Sequence, residues 1–392
     1  MKALLFITLI NSFLYAQWVH TPYGMENKYV YTLASSGNNI FAGTSLNGVY
    51  HSSNNGANWI NTSLNNRVIQ KLLSVNNILY AGTSEYGIYL STNSGTNWIQ
   101  TSLNNRSIYA ITPLTQFGSY LYAGGDSTGL YYSLNSGANW NVIGLNGMTI
   151  YSIEVAGSVI LAGTANFGVY YSSNNGVNWY PTNLSNTSVF SFADTSNVVF
   201  AGTSNSIYKS TNFGVNWIQS GLVDELVGEI VISGNNVFAG TFSGGVYVSN
   251  NNGLNWEQRN EGLTQHTATG LCLANGFIFA GTQNSVFKRN ISELIGIELL
   301  SNIVPEEFIL SQNYPNPFNP LTNIRFSVPK SGFVKLTVFD VLGRKVETLV
   351  NENLNAGTYN ADWNALNYSS GVYFYRLDTD ELSLTKTMIL MK

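Results

Sequence analysis

The side chains that could catalyse a reaction are few and dispersed along this sequence of 392 residues. Hydrolysis of a glycosidic bond needs two carboxyl groups about 5–10 Å apart, one acting as an acid and the other as a base or nucleophile. The candidates are Asp126, Asp224, Glu225 and Glu229. Their spacing in the sequence does not predict that any two converge, and isolated carboxylates are usually solvated. We therefore predict no catalytic residue.

Patterns typical of metal sites and of nucleophiles are also missing from the sequence. His20, His51 and His266 stand alone, without the paired spacing of metal ligands. No serine lies in a nucleophile elbow, and the glycines form no phosphate-binding loop. Cys272 is the only cysteine, and its apolar neighbours predict a small buried side chain. We predict no metal and no cofactor.

The low charge of the chain argues against nucleic acid as a partner, and we predict none. Charged residues make up 10% of the sequence and the formal net charge is -4, whereas ordinary soluble domains contain roughly 25% charged residues. Nucleic-acid binding needs clustered lysine and arginine side chains. Polarity is carried instead by Asn, Ser, Thr and Gly, which together with 13% aromatic residues is typical of short strands joined by tight turns.

The candidate catalytic side chains lie in a part of the sequence that is built from a repeated unit. The tripeptide Ala-Gly-Thr, or Ala-Gly-Gly in one copy, begins at Ala42, Ala81, Ala123, Ala162, Ala201, Ala239 and Ala280. A second segment of the repeat, which we call the box, starts with serine and ends at Trp59, Trp98, Trp140, Trp179, Trp217 and Trp256. A period of about 40 residues with strand-like content is typical of a four-stranded β-propeller blade.

The first repeat shows how a blade would form. Its four predicted strands, from the innermost outward, are residues 30–33, 40–44, 48–51 and 59–61. The box therefore lies in the hairpin between the third and fourth strands. There Ser52 and Asn54 can hydrogen-bond to turn amides, while Gly56 can adopt a positive φ without steric cost. Trp59 can fill the space beside the neighbouring blade.

The boxes resemble the Asp-box of the BNR repeat family, Ser-x-Asp-x-Gly-x-Thr-Trp. The match covers Ser, Gly and Trp in all six copies, but asparagine stands where the family has aspartate and threonine. The resemblance implies a propeller scaffold like that of sialidases and sortilin-type receptors. The missing carboxylates argue against a charge-dependent role such as cation binding.

Six boxes accompany seven tripeptides, so one blade lacks its outer strand. The repeat at Ala280 ends without a box, and Trp18 precedes Ala42 at nearly the spacing by which Trp59 precedes Ala81. We therefore predict an all-β fold with a seven-bladed β-propeller over residues 17–289. The N-terminal strand, residues 17–20, would complete the seventh blade and close the ring.

The N-terminus predicts export. Lys2, the apolar run that follows it and a cleavage position after Ala16 are typical of a secretory signal peptide, residues 1–16. No other apolar run reaches the roughly 18 residues of a membrane-spanning helix, so we predict no transmembrane anchor.

The composition changes after the repeats. We predict a linker over residues 290–304 and a small antiparallel Ig-like β-sandwich over residues 305–392, with strands at 323–328, 334–340, 345–350, 358–363, 372–378 and 382–390. This tail resembles the type A C-terminal sorting domain of the type IX (Por) secretion system. The residues that carry the resemblance include Asn313, Pro315, Pro317, Phe318, Gly343, Arg344, Gly371, Tyr373 and Lys386. It implies contact with that secretion machinery and a secreted or outer-surface location in a Gram-negative bacterium of the Bacteroidetes type.

Binding residues are predicted on the propeller face opposite the boxes. The loops there, between second and third strands and between blades, differ among the repeats and mix aromatic with polar side chains. The candidates are Tyr23, Arg67, Tyr86, Arg106, Asp126, Phe167, Asp224 and Arg259. We predict a monomeric, non-catalytic propeller that binds an extracellular glycan or protein. The alternative is a glycoside hydrolase or lyase with carboxylates in the central funnel.

Overall fold

The computed structural model describes residues 17–114, 120–195, 198–233, 236–294, 298–301, 304–354, 356–365 and 368–392. The predicted signal peptide, residues 1–16, lies outside the described residues. Within these ranges every regular element is a β-strand except a 3-10 helix at Ile291–Glu293.

The first part of the chain forms seven four-stranded antiparallel sheets, counted over the described ranges. Blades 1 to 3 contain β2 (Val30–Ser36), β3 (Asn39–Thr44), β4 (Val49–Ser52), β5 (Ile60–Asn61), β6 (Ile69–Val75), β7 (Ile78–Thr83), β8 (Gly87–Ser91), β9 (Ile99–Gln100), β10 (Ile108–Pro113), β11 (Leu121–Gly125), β12 (Gly129–Ser133) and β13 (Asn141–Gly144). Blades 4 to 6 contain β14 (Ile150–Ala156), β15 (Val159–Thr164), β16 (Val169–Ser172), β17 (Tyr180–Pro181), β18 (Val189–Thr195), β19 (Val198–Thr203), β20 (Ile207–Ser210), β21 (Ile218–Gln219), β22 (Val227–Ser233), β23 (Asn236–Thr241), β24 (Val246–Ser249) and β25 (Glu257–Gln258). Blade 7 contains β26 (Gly270–Ala274), β27 (Phe277–Thr282), β28 (Ser285–Asn290) and β1 (Val19–His20).

The blades form a closed ring. The first strand of each blade contacts the first strand of the next, from β2 and β6 round to β26 and β2. The fold is the predicted seven-bladed β-propeller.

The Ala-Gly-Thr tripeptide packs one blade against the next. A Cβ on Gly43 would lie 2.6 Å from Cγ2 of Ile69 in the following blade, so only glycine allows this approach. Ala42 before it is fully buried. The Thr44 hydroxyl donates a hydrogen bond of 2.9 Å to the Gly48 carbonyl and so fixes the loop to the third strand. The tripeptide is therefore a packing element of the scaffold.

Each box is a closed hydrogen-bonded turn. In the first box the Ser52 hydroxyl donates to Asn54 Oδ1 at 3.0 Å and accepts from the Gly56 amide at 2.9 Å. Asn54 Oδ1 also accepts from the Asn58 amide at 2.9 Å, so the asparagine amide oxygen makes the contacts that the turn needs. In the other boxes a glycine amide likewise donates to the hydroxyl of the serine, which is Ser91, Ser133, Ser172, Ser210 or Ser249.

Removing a single hydroxyl of the box should measurably lower the stability of the propeller. Ser52→Ala removes the acceptor of the buried Gly56 amide, which should cost about 1–3 kcal/mol in the free energy of unfolding. Ser53→Ala is the matched control, because its exposed side chain should matter by less than about 0.5 kcal/mol. Calorimetric unfolding of the two variants tests this, and equal effects would contradict the role given to the Ser52 hydroxyl.

The N-terminal strand closes the seventh blade, as predicted. Strand β1 pairs antiparallel with β28, with Val19 opposite Lys288 and His20 opposite Phe287. Trp18 is 2% exposed, and its indole Nε1 donates to the Arg259 carbonyl at 2.6 Å. Residues Trp18–His20 therefore join blades 6 and 7.

The C-terminal part of the described chain is an antiparallel β-sandwich. Its strands are β29 (Glu298–Ser301), β30 (Ile309–Leu310), β31 (Leu321–Val328), β32 (Gly332–Phe339), β33 (Lys345–Leu354), β34 (Gly357–Asn364), β35 (Gly371–Thr379) and β36 (Ser383–Leu390). They form two sheets, ordered β29-β34-β31-β30 and β33-β32-β35-β36. Side chains from both sheets share one core, which includes Phe326, Leu336, Trp363 and Tyr375. All six predicted strands are present, and β29 lies inside the stretch that the sequence predicted as linker.

Candidate functional site

A bulge at the start of the innermost strand aims one residue of each of six blades at the centre of the ring. In blade 1 the register between β2 and β3 shifts between Val30 and Thr32, so Tyr31 is the extra residue. A β-bulge re-aims the side chain that it carries. The corresponding residues of blades 2 to 6 are Gln70, Tyr109, Tyr151, Phe190 and Gly228.

These bulge residues line a cavity of about 370 Å³, which we call the funnel mouth. Its wall includes an arc of aromatic rings from blades 3 to 6. The ring centroids of Tyr109 and Tyr151 are 5.3 Å apart, and Tyr151 stacks on Phe190 at 5.3 Å. The arc ends at Phe242, 6.4 Å from Phe190. Its ring uses the space left by Gly228, where a Cβ would lie 3.0 Å from Phe242 Cε2.

An ion pair lies at the inner limit of the funnel mouth. Lys71 Nζ is 3.1 Å and 3.3 Å from the two carboxylate oxygens of Glu229. Lys71 belongs to β6 of blade 2 and Glu229 to β22 of blade 6, so the pair spans the ring. The two side chains are 30% and 17% exposed, which reduces screening by water.

A second cavity of about 290 Å³ shares Lys71, Tyr151, Phe190 and Glu229 with the funnel mouth. It is also lined by Glu154, whose carboxylate accepts a hydrogen bond of 2.8 Å from the Val155 amide. Burial raises the pKa of the Glu154 carboxyl to about 7, so near neutral pH this group is partly protonated. The ion pair therefore lies where the two cavities meet.

Of the eight predicted binding residues, Arg67 and Tyr86 come together. The guanidinium of Arg67 lies 4.0 Å from the ring centroid of Tyr86, which is close enough for a cation–π contact. The Arg106 side chain is fixed by two contacts of its own. It hydrogen-bonds to Tyr131, and its Nε donates to the Asn104 carbonyl at 3.1 Å.

The remaining predicted residues are distributed around the ring. Tyr23 and Phe167 are 69% and 57% exposed. Asp126 accepts a hydrogen bond of 3.0 Å from the Thr149 hydroxyl, and Asp224 has a positive φ of 65° in its loop. Arg259 pairs with Glu257 of the outer strand β25 at 2.6 Å. The funnel mouth is lined by none of the eight in the described part of the chain.

Three of the four carboxylates considered for catalysis have separate partners. Glu229 is paired with Lys71, while Glu225 accepts from the Tyr247 hydroxyl at 3.1 Å and from the Ser243 hydroxyl at 3.2 Å. Asp126 is held by Thr149. The described residues contain no group of three or more His, Cys, Asp or Glu side chains that could hold a metal.

The sequence reading missed the funnel residues Tyr29, Tyr31, Tyr109, Tyr151 and Phe190. Tyr31, Tyr109, Tyr151 and Phe190 each directly follow the first apolar residue of the innermost strand. Tyr31, Tyr151 and Phe190 lie 11 residues before the alanine of Ala-Gly-Thr, whereas Tyr109 lies 14 residues before Ala123. That recurrence was the available signal, because residues at one position of the innermost strand occupy equivalent places around the axis of the ring.

Asn313 and Phe318 of the predicted sorting motif are buried in the sandwich. Asn313 is 2% exposed and donates from Nδ2 to the Thr322 hydroxyl at 2.8 Å and to the Pro315 carbonyl at 3.0 Å. Phe318 is buried beside Trp363, with ring centroids 5.5 Å apart.

Other motif residues define turns and edges. Gly343 has a positive φ of 73°, and Arg344 Nε lies 2.7 Å from Asp340. Tyr373 donates its hydroxyl to the Ser369 carbonyl at 2.7 Å. Gly371 begins β35, Pro317 lies in an exposed segment, and Lys386 is a half-buried residue of β36.

Comparison with protein families identifies this tail. Residues 312–391 match the family model of the secretion system C-terminal sorting domain. The chain ends in a secretion sorting domain. The protein is therefore exported through the type IX secretion system to the cell surface or beyond it, and its sorting domain contacts that machinery. No helix among the described residues is long and apolar enough to cross a membrane.

Solved structures have a similar fold over 70% to 82% of this chain. The extracellular domain of the one-component system BT4673 of B. thetaiotaomicron is 19% identical, with a TM-score of 0.60 over 82% of this chain and 46% of that chain. This chain thus spans about half the length of that domain. The GH74 xyloglucanase of Xanthomonas campestris is 13% identical, with a TM-score of 0.59 over 80% of this chain and 59% of that chain. YCF48 of Cyanidioschyzon merolae is 14% identical, with a TM-score of 0.56 over 70% of this chain and 99% of that chain. No curated protein matches the sequence.

Proposed function

We propose that the exported protein is a monomeric, non-catalytic propeller that binds an extracellular glycan or protein, and that the ligand enters the funnel mouth. The observation that carries the proposal is the arc formed by Tyr109, Tyr151, Phe190 and Phe242 on the wall of a cavity of about 370 Å³. A concave site with aromatic walls and a few convergent polar groups is typical of ligand binding.

Burial of the tyrosines fits a binding surface. Burial raises the pKa of Tyr109, and the nearby Asp126 carboxylate raises it further, so the hydroxyl stays protonated at neutral pH. A protonated hydroxyl can donate a hydrogen bond to a ligand while the ring provides an apolar face. YCF48, of similar fold, has been solved bound to the D1 peptide, which supports the protein-ligand form of the proposal.

A glycoside hydrolase is the second candidate function, and one observation favours it. Glu154 and Glu229 both line the second cavity. Burial raises the pKa of Glu154 to about 7, as a general acid requires. Against it, the carboxylate of Glu229 is engaged by Lys71. Turnover of a polysaccharide that is lost in both Glu154→Gln and Glu229→Gln would establish the hydrolase instead of the binding protein.

Tyr151→Ala tests the proposed site. Tyr151 contacts rings on both sides, so its removal should weaken binding of any ligand found on glycan and peptide arrays by about tenfold or more. Titration calorimetry with the full chain measures the change.

The matched control is Tyr180→Ala. This tyrosine belongs to the same blade but lies 49% exposed on the outer strand β17, so its removal should leave the affinity unchanged. Equal affinities of the native protein and Tyr151→Ala for every ligand would show that binding occurs elsewhere on the molecule.

A further inference from the structure

We propose that the funnel mouth binds the end of a neutral glycan chain. This inference rests on the proposed function, because it names the ligand class of the same site. It depends on three properties of the described funnel: a wall of aromatic rings, a floor whose charges cancel, and an ion pair that crosses the inner end.

The charge of the cavity selects against ionic ligands. Lys71 and Glu229 are the only lysine, arginine, aspartate or glutamate side chains among the described residues that line the funnel mouth. They neutralise each other at 3.1 Å. A uronate, sialate or phosphate would enter without a free counter-charge, or would have to displace one partner and leave it uncompensated. The funnel therefore favours a ligand without charge.

The wall suits the two kinds of surface on a sugar ring. One side of a hexose ring presents C–H groups, which pack on aromatic faces such as those of Tyr151 and Phe190. The edges of the ring present hydroxyls, which need hydrogen-bond partners. Tyr29, Tyr31 and Gln70 supply such groups on the opposite side of the ring of strands.

The shape favours the end of a chain. A cavity of about 370 Å³ is near the lower limit for ligand pockets. The Lys71–Glu229 pair spans its inner side, so a long polymer cannot pass through without separating the two charges. A peptide inserted by its end would bring a charged amine or carboxylate to this neutral floor. The end of a neutral glycan brings only hydroxyls, which can bond to both Lys71 and Glu229.

The direct test titrates the full chain with linear neutral hexasaccharides: cellohexaose, maltohexaose and mannohexaose. Oligogalacturonate of the same length is the charged probe. We expect at least one neutral hexasaccharide to bind, with an affinity that Tyr151→Ala lowers about tenfold or more, and oligogalacturonate to bind at least tenfold more weakly than that hexasaccharide. If maltohexaose is the ligand, β-cyclodextrin, which has no chain end, should not bind.

Substitutions at the floor should change the charge preference. Glu229→Gln frees the Lys71 ammonium, so this variant should gain about tenfold or more in affinity for oligogalacturonate. Lys71→Gln frees a carboxylate instead and should show no such gain. The double variant Lys71→Gln with Glu229→Gln is uncharged at the floor and should behave like the native protein toward oligogalacturonate. Melting curves of all three variants verify that each is folded.

The outcomes separate this inference from the proposed function. It is wrong if no neutral hexasaccharide binds, if oligogalacturonate or a peptide binds the native funnel more tightly, or if Glu229→Gln gains no affinity for oligogalacturonate. The proposed function survives all three results as long as some ligand loses affinity in Tyr151→Ala. It fails if no ligand does so.

Discussion

Trp18→Ala is expected to lower the melting temperature of the propeller by roughly 10 °C. Replacing a fully buried tryptophan by alanine costs about 3–5 kcal/mol, and each kcal/mol shifts the melting temperature by about 2–4 °C in a domain of this size. Trp18 packs in one core with Phe238 and Phe287, and its indole donates to the Arg259 carbonyl. Its removal therefore weakens the place where the ring closes.

Val19→Ala is the matched control for this variant. Val19 is the next residue and begins β1, but it is 51% exposed and its backbone keeps the pairing with Lys288. Its effect should stay within about 0.5 kcal/mol. Calorimetry of the full chain distinguishes the two variants, since the sorting domain has its own core and its transition should not move. A melting temperature unchanged in Trp18→Ala would mean that ring closure contributes little to stability.

Gly48→Ala should prevent the propeller from folding, or destabilise it by more than about 4 kcal/mol. Gly48 has a φ of +71°, and an added Cβ would lie 1.8 Å from the Leu64 carbonyl oxygen. That oxygen belongs to the backbone and already accepts a hydrogen bond from the Val49 amide, so it cannot move away cheaply. The clash would separate the third strand of blade 1 from the segment that leads to blade 2.

Gly37→Ala measures the cost of a left-handed backbone conformation without the steric clash. Gly37 also has a positive φ, +56°, but nothing lies within 4 Å of the added Cβ. Its cost should be the left-handed conformation alone, about 1–2 kcal/mol. Soluble yield and urea unfolding of the two variants give the comparison. Similar losses at Gly48 and Gly37 would show that the conformation of the glycine, and not the close approach to Leu64, determines the cost.

Trp18→Ala and Gly48→Ala should also affect the binding site, because the funnel exists only when the ring is closed. The aromatic arc joins residues of blades 3 to 6, and the Lys71–Glu229 pair joins blades 2 and 6. Loosening the closure at Trp18 lets the blades separate, so binding at the funnel mouth should weaken together with stability.

The repeats made the scaffold predictable. Local rules place a turn at every box, because Ser52 and Gly56 are close in the chain and bond within the same hairpin. Counting the boxes against the tripeptides also identified the missing outer strand, since a blade without it would leave an open edge. The sorting domain was predictable for a different reason: its motifs occur in order over residues 312–391.

The binding surface could be predicted only in part from the sequence. Loop variation directed attention to Phe167, Asp224 and the other predicted loop residues, none of which lines the funnel mouth in the described part of the chain. The bulge at Tyr31 interrupts the alternation of the innermost strand, so a period of two does not indicate that this side chain turns toward the axis.

What the amino-acid sequence determined by itself was the repeating unit, the number of blades and the identity of the tail, because each depends on residues near one another in the chain. Tertiary structure alone decided which side chains meet at the axis. Lys71 and Glu229 are 158 residues apart and pair only because ring closure places blades 2 and 6 across the same funnel. No local pattern encodes that distance, since it depends on the curvature summed over all seven blades.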